Sequence, residues 1–396
     1  MASGIRAGPY LVMNAPRFIS RRIRFEGKIA VVSIAVSFLV MILAVAISAG
    51  FRKELRQGIS AISGDIQLTP PDLNYVGETD PISLEASWME STAALPGIEA
   101  VIPAVYRAGI VRSGDNIHGV LFKGVPDGPD SLGVRVPSRL ARMLNLSEGD
   151  RLLAYFVGER VKVRNFHVTE VYPSILSGDE NLVVFAGLSA MQRLNGWSSD
   201  EVSAVEYSLT DKSNAALEDM TNRVGTLVLL STPQEEEAPL ASSAQNKYPS
   251  IFSWLDLIDL NVVMILVLMT IVAGFNMISG LLILLFRNIS TIGTLKSMGM
   301  TDRAISEVFV RVAANLVLKG MLIGNAIALL LCLVQGTTHI IRLNPDNYFV
   351  SFVPVHVNSW LIIGADLASF LVILLFLLLP SLFISRVDPA KTVRAQ

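Results

Sequence analysis

Cysteine is almost missing from this 396-residue chain: the single one, Cys332, lies inside an apolar run. One thiol excludes an intrachain disulfide and a cysteine-based metal site. The four histidines, His118, His167, His339 and His356, are scattered and show no HExxH or His-x-His spacing, so no metal ligand set is expected. No GxxxxGK[ST] loop is present, which excludes a self-contained P-loop ATPase, and Gly27-Lys28 lacks both the earlier glycine and the following Ser or Thr. A GxSxG elbow and a paired-carboxylate site in convincing context are also missing. Charge is scarce at 17% of residues against 52% hydrophobic ones. That is too apolar for an ordinary soluble protein of this length.

What the chain has instead is long uncharged runs. Residues 29–51 and 260–286 carry no charge, and each exceeds the roughly 20 residues that cross a bilayer core as helix. Residues 312–341 and 357–385 are also long enough, interrupted only by Lys319 and Asp366. Both charges are expected near interfaces, Lys319 by snorkelling to the inner one and Asp366 at the outer one. The near-neutral total of −2 hides an asymmetry. Residues 52–256 hold 17 basic and 27 acidic side chains, and the rest hold 15 and 7. Basic residues crowd the first 28 positions, the segment between the second and third runs (Arg287, Lys296, Arg303, Arg311) and the C-terminus (Arg386, Lys391, Arg394). Basic short flanks face the cytoplasm. This gives a cytoplasmic basic segment 1–28, spans over 29–51, 257–286, 304–341 and 357–385, and a cytoplasmic tail 386–396. Residues 52–256 and the short loop 342–356 are then periplasmic. Ala44-Val45-Ala46 offers a small-x-small cleavage site, but the 28-residue leader and the long apolar run argue for an uncleaved anchor.

The expected fold class is therefore an α-helical membrane protein of four transmembrane helices, with a large extracytoplasmic α+β domain between the first and second. Within that domain, 64–68, 99–111, 118–124, 151–157, 162–172 and 202–209 alternate as strands do. Residues 138–146 and 214–224 carry helical spacing. Residues 231–250 turn to Pro, Glu, Ala and Ser and read as a polar excursion; Phe252, Trp254 and Leu255 then resemble an aromatic collar at the outer interface. Residues 287–303, RNISTIGTLKSMGMTDR, stand between two spans. Ile289, Ile292, Leu295 and Met298 recur every three residues and suggest a short helix with one broad apolar stripe. Gly299 can take the left-handed conformation that ends it, Thr301 can cap the next helix, and Asp302 suits its first turn.

This order of parts resembles the permease subunits of the MacB/FtsX-type ABC superfamily, and most closely the lipoprotein-releasing LolC/LolE branch. The resemblance is carried by FRKELRQGISAISGDIQL, by GFNMISGLLILLFRNISTIGTLKSMGMTDRAI, by ISRVDPAKTVR and, in the α+β part, by VIPAVYRAGIVRSGDNIHGVLFKGVP and PSRLARMLNLSEGDRLLAYF. It implies that 287–303 is a coupling helix gripped by a separate ATPase subunit, through Ile289, Ile292, Gly293, Leu295, Lys296, Met298 and Gly299. Ser290 and Thr291 stand where many relatives carry an Arg-Glu pair, leaving Ile292, Leu295 and Met298 as the expected grip. The resemblance further implies that this chain is no enzyme and binds no cofactor, with ATP and Mg held by the partner ATPase. A second permease, itself or a paralogue, lipoprotein cargo and a periplasmic carrier complete the expected partners, and nucleic acid is not among them. Val40, Leu43, Ile47 and Phe51 form a candidate cargo-facing stripe on the first span, in the inner membrane. Tyr172-Pro173-Ser174 is a candidate neighbourhood for a carrier-binding hook. MacB-like efflux and FtsX-like mechanotransmission stay open as alternatives; a receptor role is disfavoured because no output domain follows the last span.

Overall fold

A computed structural model describes residues 28–381 apart from 74, 76–79, 115, 131, 159, 174–181, 234–236, 345–347 and 349. The basic leader, the C-terminal tail and Ser174 of the hook neighbourhood lie outside the described residues. The chain forms two units: one comprises residues up to Phe51, Asp256–Ile340 and those from Pro354; the other comprises Arg52–Leu255 and Ile341–Val353.

Among the described residues the first unit is built on four helices long and apolar enough to cross a membrane: Lys28–Ser63, Pro249–Arg287, Asp302–Thr338 and Ser359–Ser381. The first helix runs past Phe51 because Arg52–Ser63 keeps a helical spacing of apolar residues, with Leu55, Ile59 and Ile62 all buried. It stops at Gly64, whose φ of +68° is the left-handed conformation glycine tolerates, and the Gly64 N–H donates back to Ser60 O at 2.9 Å. The second helix starts at Pro249, and Phe252 and Leu255 are buried, so they do not form an exposed interfacial collar.

Within the membrane unit the first helix is the most enclosed, with 44% of its most apolar window buried against 17%, 28% and 22% for the others. Glycines make this possible. A Cβ on Gly320 would fall 2.7 Å from Cβ and Cγ2 of Ile34, and one on Gly324 would fall 2.4 Å from the carbonyl oxygen of Ala35. The third helix thus lays a Gly-x-x-x-Gly face against the first, the spacing that lets two helix backbones approach closely in lipid. Gly274 on the second helix faces the ring of Phe376 on the fourth in the same way. Polar side chains bond across the helices: Asn276 donates to Ser33 Oγ at 2.6 Å, Ser48 to Asp259 Oδ1 at 2.6 Å, Thr270 to Ser369 Oγ at 3.0 Å, and Asn325 to Asp366. Asp366 therefore has a specific partner on the third helix. Large apolar side chains such as Leu260, Met264, Phe275, Leu371 and Leu375 stay exposed, as lipid-facing positions do.

The second unit is α+β. Its strands β1 (Ile66–Thr69), β2 (Ile82–Ser83), β3 (Ile98–Ser113), β4 (Asn116–Val125), β5 (Gly133–Pro137), β6 (Arg151–Phe156), β7 (Lys162–Tyr172), β8 (Val183–Gly187), β9 (Glu201–Val202), β10 (Ala204–Leu209) and β11 (Leu240–Ser243) follow one another along the chain. Nine of them form one sheet in the order β11-β1-β10-β3-β4-β8-β5-β7-β6, and β6 pairs back on β3. Six strands consequently close into a small barrel, which removes their free edges. Its interior holds Phe122, Phe156 and Phe166, with ring centroids 4.9 to 6.3 Å apart. Gly109 is flat against two of these rings, where a Cβ would meet Phe156 at 3.0 Å. The helices Trp88–Ala93 and Asn214–Ser231 also pack on the apolar core; Ser213 caps the second by accepting from Ala216 N at 3.3 Å.

Alanine at Gly324 should gain up to about 1 kcal/mol in helix propensity, yet the contact with Ala35 O should outweigh that and lower stability by about 1–3 kcal/mol. Gly364→Ala, where a Cβ meets nothing within 4 Å, should be neutral or stabilising. Unfolding midpoints of both variants in detergent, followed by tryptophan fluorescence, check the opposite signs.

Candidate functional site

The short helix Ile289–Ser297 is separated from the second membrane helix by Asn288, whose φ of −109° and ψ of 23° break the helical run and whose side chain donates to Leu284 O at 2.8 Å. Its far end is a Schellman closure: Met300 N–H donates to Leu295 O at 3.0 Å and Gly299 N–H to Lys296 O at 2.9 Å, with Gly299 at φ +88°. Thr301 then caps the third membrane helix, accepting from Ala304 N at 3.4 Å. Across this turn Lys296 Nζ meets Asp302 Oδ1 at 2.8 Å. Two helices with a cap, a closure and an ion pair between them make a stiff corner.

Which face of the corner is free differs from the sequence expectation. Ile292 and Leu295 are 1% and 9% exposed and pack on Leu284, Leu285, Ile305 and Phe309 inside the membrane unit, with Gly293 buried beside them. Met298 is 71% exposed and Ile289 36%. The reason is angular. At about 100° per residue, a repeat of three falls short of a turn by about 60° at each step, so the first and fourth members point in opposite directions. Ile289, Ile292, Leu295 and Met298 are therefore not one docking stripe: the middle pair is core, and Lys296 is held by Asp302. The outward side carries Ser290, Thr291, Thr294, Ser297 and Met298. Two of its hydroxyls bond their own helix, Thr294 to Ser290 O at 3.0 Å and Ser297 to Thr294 O at 2.8 Å.

On the first membrane helix, Val40, Leu43 and Ile47 are half-buried and Phe51 is buried, so they do not form an open stripe. Leu43 packs partly against the cluster of Ile42, Val45, Ala328 and Ile362. The exposed apolar positions are Ile29, Val32 and Val36, nearer the start of the helix.

The α+β unit contains a polar cluster that the sequence alone did not single out. The registers Glu170↔Arg135, Arg135↔Phe185, Phe185↔Lys123 and Lys123↔Tyr106 run side by side across five strands, on the sheet face opposite the aromatic barrel interior. Glu206 on β10 and Gln67 on β1 extend it. Lys123 and Glu206 are each 2% exposed and meet at 2.8 Å, and Lys123 also donates to Ile62 O at 2.7 Å, at the end of the first helix. Tyr106 OH donates to Ile62 O at 3.0 Å and bonds Glu206. A cation on the last carbonyls of a helix opposes the negative end of its dipole. Burial lowers the Lys123 pKa, opposed by Glu206, and burial with the Glu206 charge raises that of Tyr106. Lys247 donates to Gln67 Oε1 at 2.7 Å amid the rings of Tyr75, Tyr106 and Tyr248, and burial pulls its pKa down to about 8.

Comparison with known proteins fits these parts. Residues 263–389 match the family model of the FtsX-like permease C-terminal region. The LolC transmembrane protein of the lipoprotein-releasing system of Xylella fastidiosa is 23% identical over 94% of this chain and 94% of its own. LolE of Haemophilus influenzae is 24% identical over 96% of this chain and 99% of its own. Two solved structures resemble part of the chain: the extracellular domain of the ABC-type transporter YknZ (TM-score 0.30, 11% identity, 45% of this chain and 98% of that one) and the periplasmic region of MacB from Actinobacillus actinomycetemcomitans (0.30, 12%, 50% and 97%). The membrane unit thus carries an FtsX-like permease domain. Taken whole, the chain is similar along nearly all of its length to the LolC and LolE transmembrane proteins, and its four long apolar helices fit a multi-pass membrane protein.

Removing one member of the buried ion pair leaves the other charge unpaired, so Lys123→Met should cost about 3–5 kcal/mol. Lys123→Met/Glu206→Gln should recover most of that, which a double-mutant cycle of chemical unfolding reads directly. For Lys247 the sign is worked from its two protonation limits. Below about pH 8 both folded and unfolded chains hold the proton and the burial penalty is full; between about 8 and the ordinary lysine value of 10.5 the unfolded chain holds more protons, so stability rises with pH. Wild-type unfolding midpoints should therefore climb from pH 8 to pH 9.5 more steeply than those of Lys247→Met.

Proposed function

We propose that this permease serves the release of lipid-anchored proteins from the inner membrane to a periplasmic carrier, driven by a separate ATPase subunit that binds ATP and Mg. The observation that carries this reading is the end-to-end correspondence with LolC and LolE, proteins of lipoprotein-releasing systems, over 94–96% of the chain. In this reading the termini and the Ile289–Ser297 corner are cytoplasmic and the acidic α+β domain periplasmic, an orientation supported by the basic short flanks. A second permease, a copy of this chain or a paralogue, would complete the membrane part. Val40, Leu43 and Ile47, half-exposed on the first helix, are the positions proposed to meet the acyl chains of the cargo.

The stiff corner is the part proposed to dock on the ATPase, and its free side is hydroxyl-rich, with Met298 as its exposed apolar tip. A hydroxyl-lined face contacts a partner by shape and hydrogen bonding, so an added charge there meets an unmatched, desolvated site. Its motion would be passed on through Ile292 and Leu295, which are locked into the membrane core.

Thr291→Asp/Thr294→Asp should keep the chain folded while reducing co-purification of the ATPase and ATP-dependent release of a lipoprotein from proteoliposomes by tenfold or more. Leu295→Asp should behave differently, destabilising the fold itself by upwards of about 3 kcal/mol. Full ATPase binding and release by the double aspartate variant would falsify the docking assignment. Intact ATPase binding together with transport of small amphiphiles and no lipoprotein would move the function to efflux.

A further inference from the structure

The polar row across the sheet has two halves with different chemistry. At Lys123 and Glu206 the charges neutralise each other. At Arg135 they do not. Its register neighbour on β7 is Glu170, yet no ion pair joins them among the described residues; the guanidinium lies over the ring of Phe185, 5.3 Å from its centroid. Phe185 is in turn set by Tyr172, whose ring meets it edge-on at 5.3 Å and whose hydroxyl donates to Val183 O at 2.5 Å. A stacked guanidinium keeps its N–H edge free for acceptors in its own plane, and the Arg135 Nε is buried with no acceptor. Such a donor is normally satisfied.

The Arg135 side chain lines a cavity of ≈ 550 Å³, a size typical of small-ligand sites. The cavity has an apolar wall that includes Ile102, Pro103 and Val125, and two acids, Asp127 and Glu170, that are exposed. The Lys123–Glu206 pair also lines it, so Arg135 is the lining cation without an ion-pair partner among the described residues, and the two exposed acids can accept a hydrogen bond from a ligand N–H. The three requirements are a planar carboxylate for the guanidinium fork, an N–H a few atoms away, and an apolar body between the walls. We infer that this cavity binds the C-terminal residue of a peptide with an apolar side chain: carboxylate on Arg135, backbone N–H toward Glu170 or Asp127, side chain against the Ile102–Pro103 wall. The site lies wholly within the α+β unit and does not depend on the transport reading.

The test is equilibrium dialysis of radiolabelled N-acetyl-leucine against the full-length chain in nanodiscs. Saturable binding is expected, with N-acetyl-leucinamide competing at least tenfold more weakly because it lacks the carboxylate. Arg135→Met should weaken binding at least tenfold at an unchanged unfolding midpoint, and Arg135→Lys, which keeps charge but not the fork, should weaken it less. Glu170→Gln combined with Asp127→Asn should weaken N-acetyl-leucine but not hexanoate. No saturable binding, or equal competition by the amide, overturns the site. Hexanoate competing as well as N-acetyl-leucine overturns the peptide assignment and makes the cavity a site for fatty carboxylates.

Discussion

An ammonium group with almost no water around it must find oxygen atoms, and Lys123 finds them on Glu206 and on the last carbonyls of the first helix. This fixes more than one charge. The carbonyls of Ala61 and Ile62 have no partner further along their own helix, since the chain turns at Gly64, and a helix end buried without partners is costly. Lys123 and the Tyr106 hydroxyl supply those partners; Glu206 opposes the loss of the lysine's charge on burial. Tyr106, Lys123 and Phe185 stand side by side because their strands pair in a single register, so a slip of one residue would send all of them to the aromatic interior of the barrel. The buried pair thus ties helix end, strand register and sheet face to one another. Its net stabilisation is small by comparison with an apolar replacement; its effect is on which arrangement forms.

In the membrane unit the corresponding constraint is steric. Lipid gives apolar helices little reason to associate, so close backbone approach and a few hydrogen bonds must do it. Gly320 and Gly324 place the third helix against Ile34 and Ala35, and Asn276–Ser33 and Thr270–Ser369 pin neighbouring pairs. The Asn325–Asp366 bond belongs to the same set. A charge that reads as interfacial in a linear sequence is, in three dimensions, one half of a polar contact between two helices.

The parts legible in the sequence are those with a long or locally closed signal. Four long apolar runs, two of them uncharged and two broken by a single charge, mark four helices, and β3, β4, β6 and β7 are alternating enough to be read directly. Gly299 and Thr301 were readable as a stop and a cap because both act within four residues of themselves. The strands β5 and β8 were not, being five residues each and paired in parallel with partners far along the chain, so neither alternation nor a hairpin turn announces them. The Gly-x-x-x-Gly at 320–324 carried a usable signal that a hydropathy reading passes over, since glycine is neutral there. The Lys123–Glu206 pair carried none: 83 residues separate its members, and only the sheet brings them together.

The short corner helix shows how an apolar pattern can be right about the element and wrong about the face. Spacing of three correctly marks a helix, because any repeat near 3.6 does. Yet the same spacing winds around the axis, and over nine residues it covers half the circumference. The fold then selects from the pattern: the stretch enters and leaves through two membrane helices, and Ile292 and Leu295 are taken into the same buried apolar cluster as Leu284 and Phe309 of those helices. What remains for a partner is what the core did not take. A grip built on Ser290, Thr291, Thr294 and the tip of Met298 has little buried area of its own, so a partner must hold this corner mainly by fitting its rigid shape. Rigidity is what the Schellman closure, the Thr301 cap and the Lys296–Asp302 bridge supply, which makes these internal contacts as much a part of docking as the side chains that would touch the partner.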